Sequence, residues 1–380
     1  MNTLTTYRDV PEPRLSPEAD AALKALVQVA PDLYLVGGTV RDLLLGRSSR
    51  DLDVVALTPV EPLATALQQQ LGGKLGCHGD FLTCSLALPA LTLDLATARS
   101  EHYPHPGALP VVQASDLHHD LHRRDFSVNT FALRLTGPPT RLSVPGADAD
   151  LEAGTLRVLH ERSFFDDPTR MVRGSRLAGR LGFDYDAQTR QALLDALTAG
   201  VHKHVSPARF KNELLLTLAE PAVAPALTHL AESGVLAALY GLSVGPLIAR
   251  LDALKPGIPL ESYLLALLLP LESAEAVAHV RKFSWPERVL TARTRLLAGE
   301  RARTDAERTL IRAEHPDEPT VYSQVQGSDV LSLGLPAGPE VGGVLRRVGR
   351  ARRDGQVASF AAELELAKQL VHAIRTRENA

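Results

Sequence analysis

The stretch from Leu33 to Val55, LYLVGGTVRDLLLGRSSRDLDVV, limits what this chain can fold into more than any other. An apolar run stops at a double glycine and a short segment carrying Arg41 follows. Asp51 and Asp53 then stand two apart beside Val54 and Val55. Residues i and i+2 of a strand point to one side, so the two carboxylates converge on one face. Converging oxygen ligands are what a hard divalent cation such as Mg²⁺ requires. The Gly37-Gly38 turn lets main chain approach a ligand closely, and amides opening the next helix favour an anion. The two halves together point to a metal–nucleotide site.

At 380 residues the chain has room for two or more compact units. No apolar run is long enough to span a bilayer, and the N-terminal MNTLTTYRDVPEPR lacks the apolar core of a signal peptide. Cys77 and Cys84 make no disulfide framework and no zinc set. A reduced, soluble, cytoplasmic protein with no membrane partner is expected. A net charge of −3 is unusual for a nucleic-acid binder. The distribution says more than the sum: of 41 basic residues seven are Lys, and arginines cluster at Arg123-Arg124, Arg170 to Arg180 and Arg346 to Arg353. The planar guanidinium fork suits phosphates and base edges.

The first part reads as α+β. A helix is expected over Pro17 to Val29, then the strand-like runs LYLV, DLDVV, FLTCSLAL and LTLDLAT, with a helix near 61–71. SVNTFALRL, after Arg124, reads as a further helix, and this part closes around Pro138-Pro139. No alternation is regular enough for a doubly wound sheet. From Asp166 onward the pattern is helical, punctuated at Ser206-Pro207 and Lys255-Pro256-Gly257. A turn-rich LGLPAGPEVGGVLRRVGRARRDG precedes one last helix from about 357 to 376.

An isolated Asp-x-Asp is ordinarily a solvated strand end. Here the upstream glycines, Arg41 and a third acid argue otherwise. Asp94 in LTLDLAT faces away from Leu93 and Leu95, an acid projecting from an apolar strand. Three such acids could hold two Mg²⁺ ions, one at an attacking hydroxyl and one on a triphosphate. Arg123-Arg124-Asp125 opens the expected SVNTFAL helix, an end that disfavours cations, and such a breach of a local rule marks function. Arg124 could clamp phosphate and Asp125 accept from a ribose hydroxyl. In DDPTRMVRGSRLAGRLGF, Pro168 suits a helix start, and Asp167 and Arg170 are neighbours on its surface, able to match a base edge. Arg173 and Arg176 continue that series around the helix, Arg176 nearly opposite Asp167.

The ordered set LVGGTVRDLLLG, DLD, Asp94, DLHRRDFSVN and DDPTRMVRGSR, with GLPAGPEVGGVL in the tail, resembles the class II tRNA nucleotidyltransferases. These are the family of CCA-adding enzymes and bacterial poly(A) polymerases. The resemblance covers most of the chain. It implies a nucleotidyltransferase head with a mixed β-sheet at 1–137, and a neck at 138–205 with the nucleotide-reading helix. A helical body at 206–300 and a helical tail at 301–380 in contact with tRNA would follow. It also implies nucleotide contacts at Gly38, Arg41, Arg124, Asp125, Asp167, Arg170, Arg173 and Arg176, Mg²⁺ ligands at Asp51 and Asp53, and Asp94 as the third acid. Two positions depart from the family pattern: Asp166-Asp167 stands for its usual Glu-Asp, and VPGADADL, residues 144–151, for its Asp-Pro-x-Gly-Gly stretch.

The expected function is template-independent, Mg²⁺-dependent addition of CMP, AMP or both to the tRNA 3′ end, with ATP and/or CTP as substrates. Rival readings are a poly(A) polymerase, disfavoured because no basic extension follows Arg377, and a head that modifies a small molecule or protein, which has no need of so large a helical body. A non-catalytic helical RNA-binding protein with a vestigial head is disfavoured by three intact acids. The interval Ala96 to His122 is close to full length, which points to CCA or A addition rather than CC addition. Arg346, Arg347, Arg350, Arg352 and Arg353 are expected to hold tRNA. The oligomeric state is left open.

Overall fold

In the computed structural model the described residues are 4–7, 16–47, 51–138, 140–254, 257–300, 302–314, 325–354, 356–357 and 359–378. Pro139, Lys255 and Pro256, read above as punctuation, lie outside them, as do the side chains of Arg353 and Arg377. The chain forms two compact units, Met1–Ser206 and Pro207–Ala380.

The first unit opens with β1 (Thr5–Tyr7) and α1 (Pro17–Val29). Ser16 caps α1 by accepting from the Ala19 amide at 3.2 Å, and Ala19, Ala22, Leu23 and Leu26 bury one stripe of it. Next come β2 (Leu33–Val36), α2 (Gly38–Leu44), β3 (Asp51–Ala56), α3 (Val60–Leu71), β4 (Lys74–His78), β5 (Thr83–Ala87) and β6 (Thr92–Thr97). A separate hairpin, β7 (Arg99–His102) and β8 (Val111–Ala114), precedes α4 (Leu117–His122), β9 (Ala132–Arg134) and β10 (Arg141–Ser143). One eight-stranded sheet runs β1-β10-β9-β2-β3-β6-β5-β4. Only the β3–β6 pair is parallel, so the sheet is mixed, as an α+β unit requires. In β6 the residues Leu93, Leu95 and Thr97 are buried while Thr92, Asp94 and Ala96 keep partial access to the opposite side, an alternation of period two.

The expected SVNTFALRL helix does not form. Ser127–Asn129 makes a single 3₁₀ turn, and the following residues become β9, hydrogen-bonded between β2 and β10. Leu and Ala are good helix formers, but propensity amounts to about a few tenths of a kcal/mol per residue, and a lane in the sheet that buries Phe131, Ala132 and Leu133 outweighs it. The cysteines differ from expectation too. They face each other directly in the β4–β5 register and are joined as a disulfide, with Cα atoms 4.1 Å apart. Seven residues of hairpin bring together two thiols that spacing alone did not pair.

Beyond the sheet lie α5 (Ala147–Ala153), β11 (Thr155–Leu156), α6 (Ser163–Asp166), α7 (Arg170–Leu181), β12 (Asp184–Tyr185) and α8 (Ala187–Thr198). The altered VPGADADL segment supplies α5, entered through Gly146 at φ +86°. Its Asp150 is buried and accepts from Ser127 Oγ at 2.6 Å and from Arg157. Helix α7 sits on an aromatic group of Phe126, Phe164 and Tyr185, whose ring centroids are 6.2–6.5 Å apart.

The second unit has no strand among its described residues. Its α-helices are α9 (Pro207–Leu218), α10 (Val223–Glu232), α11 (Pro246–Ala253), α12 (Leu260–Leu268), α13 (Ser273–Phe283), α14 (Glu287–Leu297), α15 (Asp305–Glu314), α16 (Gly327–Ser332), α17 (Pro339–Arg353) and α18 (Phe360–Glu378), with a π-helical turn at Leu236–Tyr240. Buried Arg293 caps α12 by donating to the carbonyls of Leu268 and Leu271. Helix α17 overturns the turn-rich reading of the tail. Gly349 serves packing, since a Cβ there would collide with the Gly299 carbonyl. Arg352 does not belong to a basic surface: it is 4% exposed and paired to the fully buried Glu363. No helix among the described residues is long and apolar enough to cross a membrane.

Gly174 generates a test of the α7 seat. A Cβ there would clash with the Tyr185 hydroxyl and stand 2.6 Å from the Phe126 ring. Gly174→Ala is expected to destabilise the first unit by about 1–3 kcal/mol, read from urea unfolding followed by a probe within residues 1–206.

Candidate active site

The double glycine performs a specific task. Gly37 links β2 to α2 at φ +70°, and its amide donates to the Phe131 carbonyl at 2.9 Å. A Cβ built on Gly37 would lie 2.7 Å from Arg124 Nη1 and 3.8 Å from Asp53 Oδ2, so the turn, the guanidinium and the acid meet there. One residue into α2, the Thr39 hydroxyl donates to the Asp51 carbonyl at 3.1 Å and accepts from the Asp53 amide at 3.2 Å, pinning the start of β3. Arg41 lies beneath the turn rather than open to a ligand. It is 3% exposed and donates through Nε and Nη2 to Asp42 and through Nη1 to Asn129. Burial pushes its guanidinium below the usual range, against the Asp42 charge.

The acids share a face, as period two implies. In the parallel β3–β6 register Asp53 stands directly beside Asp94, with Asp51 exposed at the strand's start. The Asp53 carboxyl is raised above its ordinary value by burial first. The Arg124 charge and a Thr39 hydrogen bond oppose that rise, and the Asp94 and Asp51 carboxylates add to it. Among the described residues the trio whose ligand atoms all lie within 4.8 Å of one another is a different one, Asp116, His118 and His119 on the surface at α4. Asp51, Asp53 and Asp94 are spread wider.

The Arg-Arg-Asp run is not at a helix start. Arg123 is the C-cap of α4, so both arginines sit at the end whose dipole favours cations. Fully buried Asp120 accepts from Arg123 Nε at 3.1 Å and Nη2 at 2.7 Å, and from Arg124 Nη2 at 2.8 Å. Burial pushes Asp120 up, but the charges of Arg124 and Arg123 prevail and hold it below its usual range. Sequence reasoning missed Asp120, although its place four residues before Arg124 on a helix is the signal for such a pair. Asp125 is 5% exposed. Its Oδ1 accepts from the Phe126 amide and Asn129 Nδ2, both at 2.9 Å, and its Oδ2 from Arg173 at 2.7 Å. Burial pushes this carboxyl up, and the Arg173 charge and Asn129 hydrogen bond hold it far down.

The Asp167–Arg170 pair is formed differently from expectation. Asp167 is not on a helix: it is the extended C-cap of α6 at φ −129°, ψ 94°. The following Pro168 disfavours helical geometry at that residue, so α7 starts only at Arg170. Asp167 Oδ1 accepts from the Thr169 amide at 3.1 Å and its hydroxyl at 2.7 Å, while Oδ2 lies 3.8 Å from Arg173 Nη1. Arg170, 4% exposed, donates to Ser163 Oγ at 2.7 Å and to the Arg123 carbonyl at 2.8 Å, and its buried Nε has no hydrogen-bond partner. Arg176 sits half-buried further along α7. Gly38, Asp53, Asp94, Arg124, Asp125, Asp167, Arg170 and Arg173 thus belong to one connected region of the first unit.

The Poly A polymerase head domain family matches residues 33–157. A CC-adding tRNA nucleotidyltransferase of Deinococcus radiodurans is 35% identical over 92% of this chain and 93% of its own length. An A-adding tRNA nucleotidyltransferase of Geobacter sulfurreducens is 30% identical over 96% of this chain. The chain spans 48% of that relative's length. Among solved structures, the Thermotoga maritima CCA-adding enzyme complexed with tRNA shares the fold at TM-score 0.66 and 22% identity, over 95% of this chain and 97% of that one.

Gly37→Ala imposes a strained φ and displaces Arg124. It is expected to weaken nucleoside-triphosphate affinity on the order of tenfold, measured by equilibrium titration with a fluorescent ATP analogue.

Proposed function

The chain belongs to the family of tRNA nucleotidyltransferases that includes the CCA-, CC- and A-adding enzymes, and from that membership we propose that it adds CMP, AMP or both to the 3′ end of tRNA with release of pyrophosphate. The observation that supports this best is the parallel register of Asp53 beside Asp94, with Arg124 held across the Gly37 turn by Asp120.

The acid set fits Mg²⁺. Its donors are all oxygen, and the rise of the Asp53 carboxyl caused by burial and reinforced by its two acidic neighbours is a charge conflict that a hard cation relieves. The imidazole-bearing trio at α4 is a poorer match for that ion. Asp51 and Asp53 would hold Mg²⁺, which supplies charge neutralisation and activation of the terminal ribose hydroxyl. The residues themselves position. Arg124 clamps the triphosphate, and Asp125 keeps the turn after it and Arg173 in place. The 3′-hydroxyl of tRNA attacks the α-phosphate of the bound nucleotide, and pyrophosphate leaves on the arginine side. Asp167 accepts from the exocyclic amino group that cytosine and adenine share, and Arg170 donates beside it.

The division into head (1–137), neck (138–205), body (206–300) and tail (301–380) is proposed on the same family ground. The choice within the class is decided by offering tRNA that ends before the CCA, after one C and after CC, with each nucleotide supplied separately. Incorporation of CMP, AMP or both supports the proposal. Long runs of A identify a poly(A) polymerase, and no transfer overturns it.

Asp51→Ala or Asp53→Ala is expected to abolish transfer with folding retained, since loss of one charge from a metal site costs several kcal/mol of transition-state stabilisation. Near-native turnover at ordinary Mg²⁺ concentrations would sink the metal assignment.

In the second unit Arg346, Arg347 and Arg350 are exposed on α17, whereas Arg352 is excluded by its pairing with Glu363. Neutralising the three exposed arginines is expected to weaken tRNA binding and to flatten its dependence on salt, with nucleotide affinity unchanged. A filter-binding series across salt concentrations reads both.

A further inference from the structure

Strand β7 is built around a carboxylate that the proposed chemistry does not use. The Glu101 side chain is 8% exposed. Its Oε1 accepts from Arg123 Nη1 at 2.8 Å and Arg99 Nη2 at 3.3 Å, and its Oε2 from the Tyr103 hydroxyl at 2.9 Å. Arg123 is thereby held from two sides, by Glu101 and by Asp120, which it shares with Arg124. The Arg123 carbonyl is in turn the acceptor that seats Arg170. The loop after β7 is tied to the same neighbourhood, since the Gly107 amide donates to the Phe165 carbonyl at 3.3 Å, two residues before Asp167. Tyr103 stands close enough to Arg170 and Asp167 to feel both charges. Burial, and then the Glu101 charge, push its phenol above the usual range.

We propose that Glu101 is a positioning residue for base choice: by fixing Arg123 it fixes the carbonyl on which Arg170 rests. The inference rests on the reading of Asp167 and Arg170 as the pair that meets the base. Base discrimination depends on where donors and acceptors stand, so a shift of the Arg170 seat falls on selectivity. Triphosphate affinity, common to all four nucleotides, depends instead on Arg124, which Asp120 holds without Glu101. A carboxylate that merely clipped the hairpin would alter stability, or all nucleotides alike.

Glu101→Gln keeps the size of the side chain and removes its charge. Affinities for CTP, ATP, UTP and GTP are measured by equilibrium titration with Mg²⁺ on the full chain, and incorporation of each is measured on tRNA. The preference for CTP or ATP over UTP and GTP is expected to fall on the order of tenfold, with inorganic triphosphate binding unchanged. A uniform loss across the four nucleotides with preference intact overturns the proposal. A wild type without preference among them overturns the base-reading assignment itself, a different failure. Should Glu101→Gln not fold, Tyr103→Phe removes one hydrogen bond from the same carboxylate and reads the same ratio. A retained preference there is equally fatal.

Discussion

The first unit is organised by one electrostatic problem: a parallel strand pair that sets two carboxylates side by side in a partly dry position, with a third at its edge. Like charges so placed repel, and burial strengthens the repulsion. The surrounding structure supplies the balance. Arg124 is brought over the acids, which requires a residue without a side chain at position 37, and its own charge is balanced on the far side by Asp120. Thr39 pins the start of the acidic strand to the helix after the glycines.

Around this centre the charges form a lattice rather than isolated pairs. Asp42 joins Arg41 to Arg180, Asp120 joins Arg123 to Arg124, and Asp125 joins the turn after the arginines to Arg173 on α7. Buried ionic groups of this kind add little net stability compared with apolar packing. Removing one partner, however, strands a charge at a cost of about 3–5 kcal/mol. The lattice therefore specifies geometry more than it stabilises the fold, which suits a reaction that asks the protein mainly to position phosphates.

What was legible in the residues follows the range of the forces involved. The shared face of Asp51, Asp53 and Asp94 and the bounds of α1 are local consequences of period and capping, and both stand as read. The failures are non-local. The segment after Asn129 had a helical composition, but its place was decided by β2 and β10, which lie nearly a hundred residues before it and seven after it. Gly349 of α17 reads as a turn because the partner it approaches, Gly299, is fifty residues away. The helical expectation for Asp167, by contrast, fails on a local rule: the residue before a proline is pushed to an extended conformation, and Asp167 precedes Pro168.

The strand order has a consequence for the time at which this protein becomes itself. β1, Thr5–Tyr7, pairs only with β10, Arg141–Ser143, at the far edge of the sheet. Synthesis from the N-terminal side therefore leaves that strand without its neighbour until β10, more than a hundred residues later, has emerged. In chain order the three acids come first, Arg124 follows them before β10, and Asp167 and Arg173 come after it. Contacts of such long sequence separation form slowly. The site has all its parts only once α7 has been made, the last element to bring a residue to it.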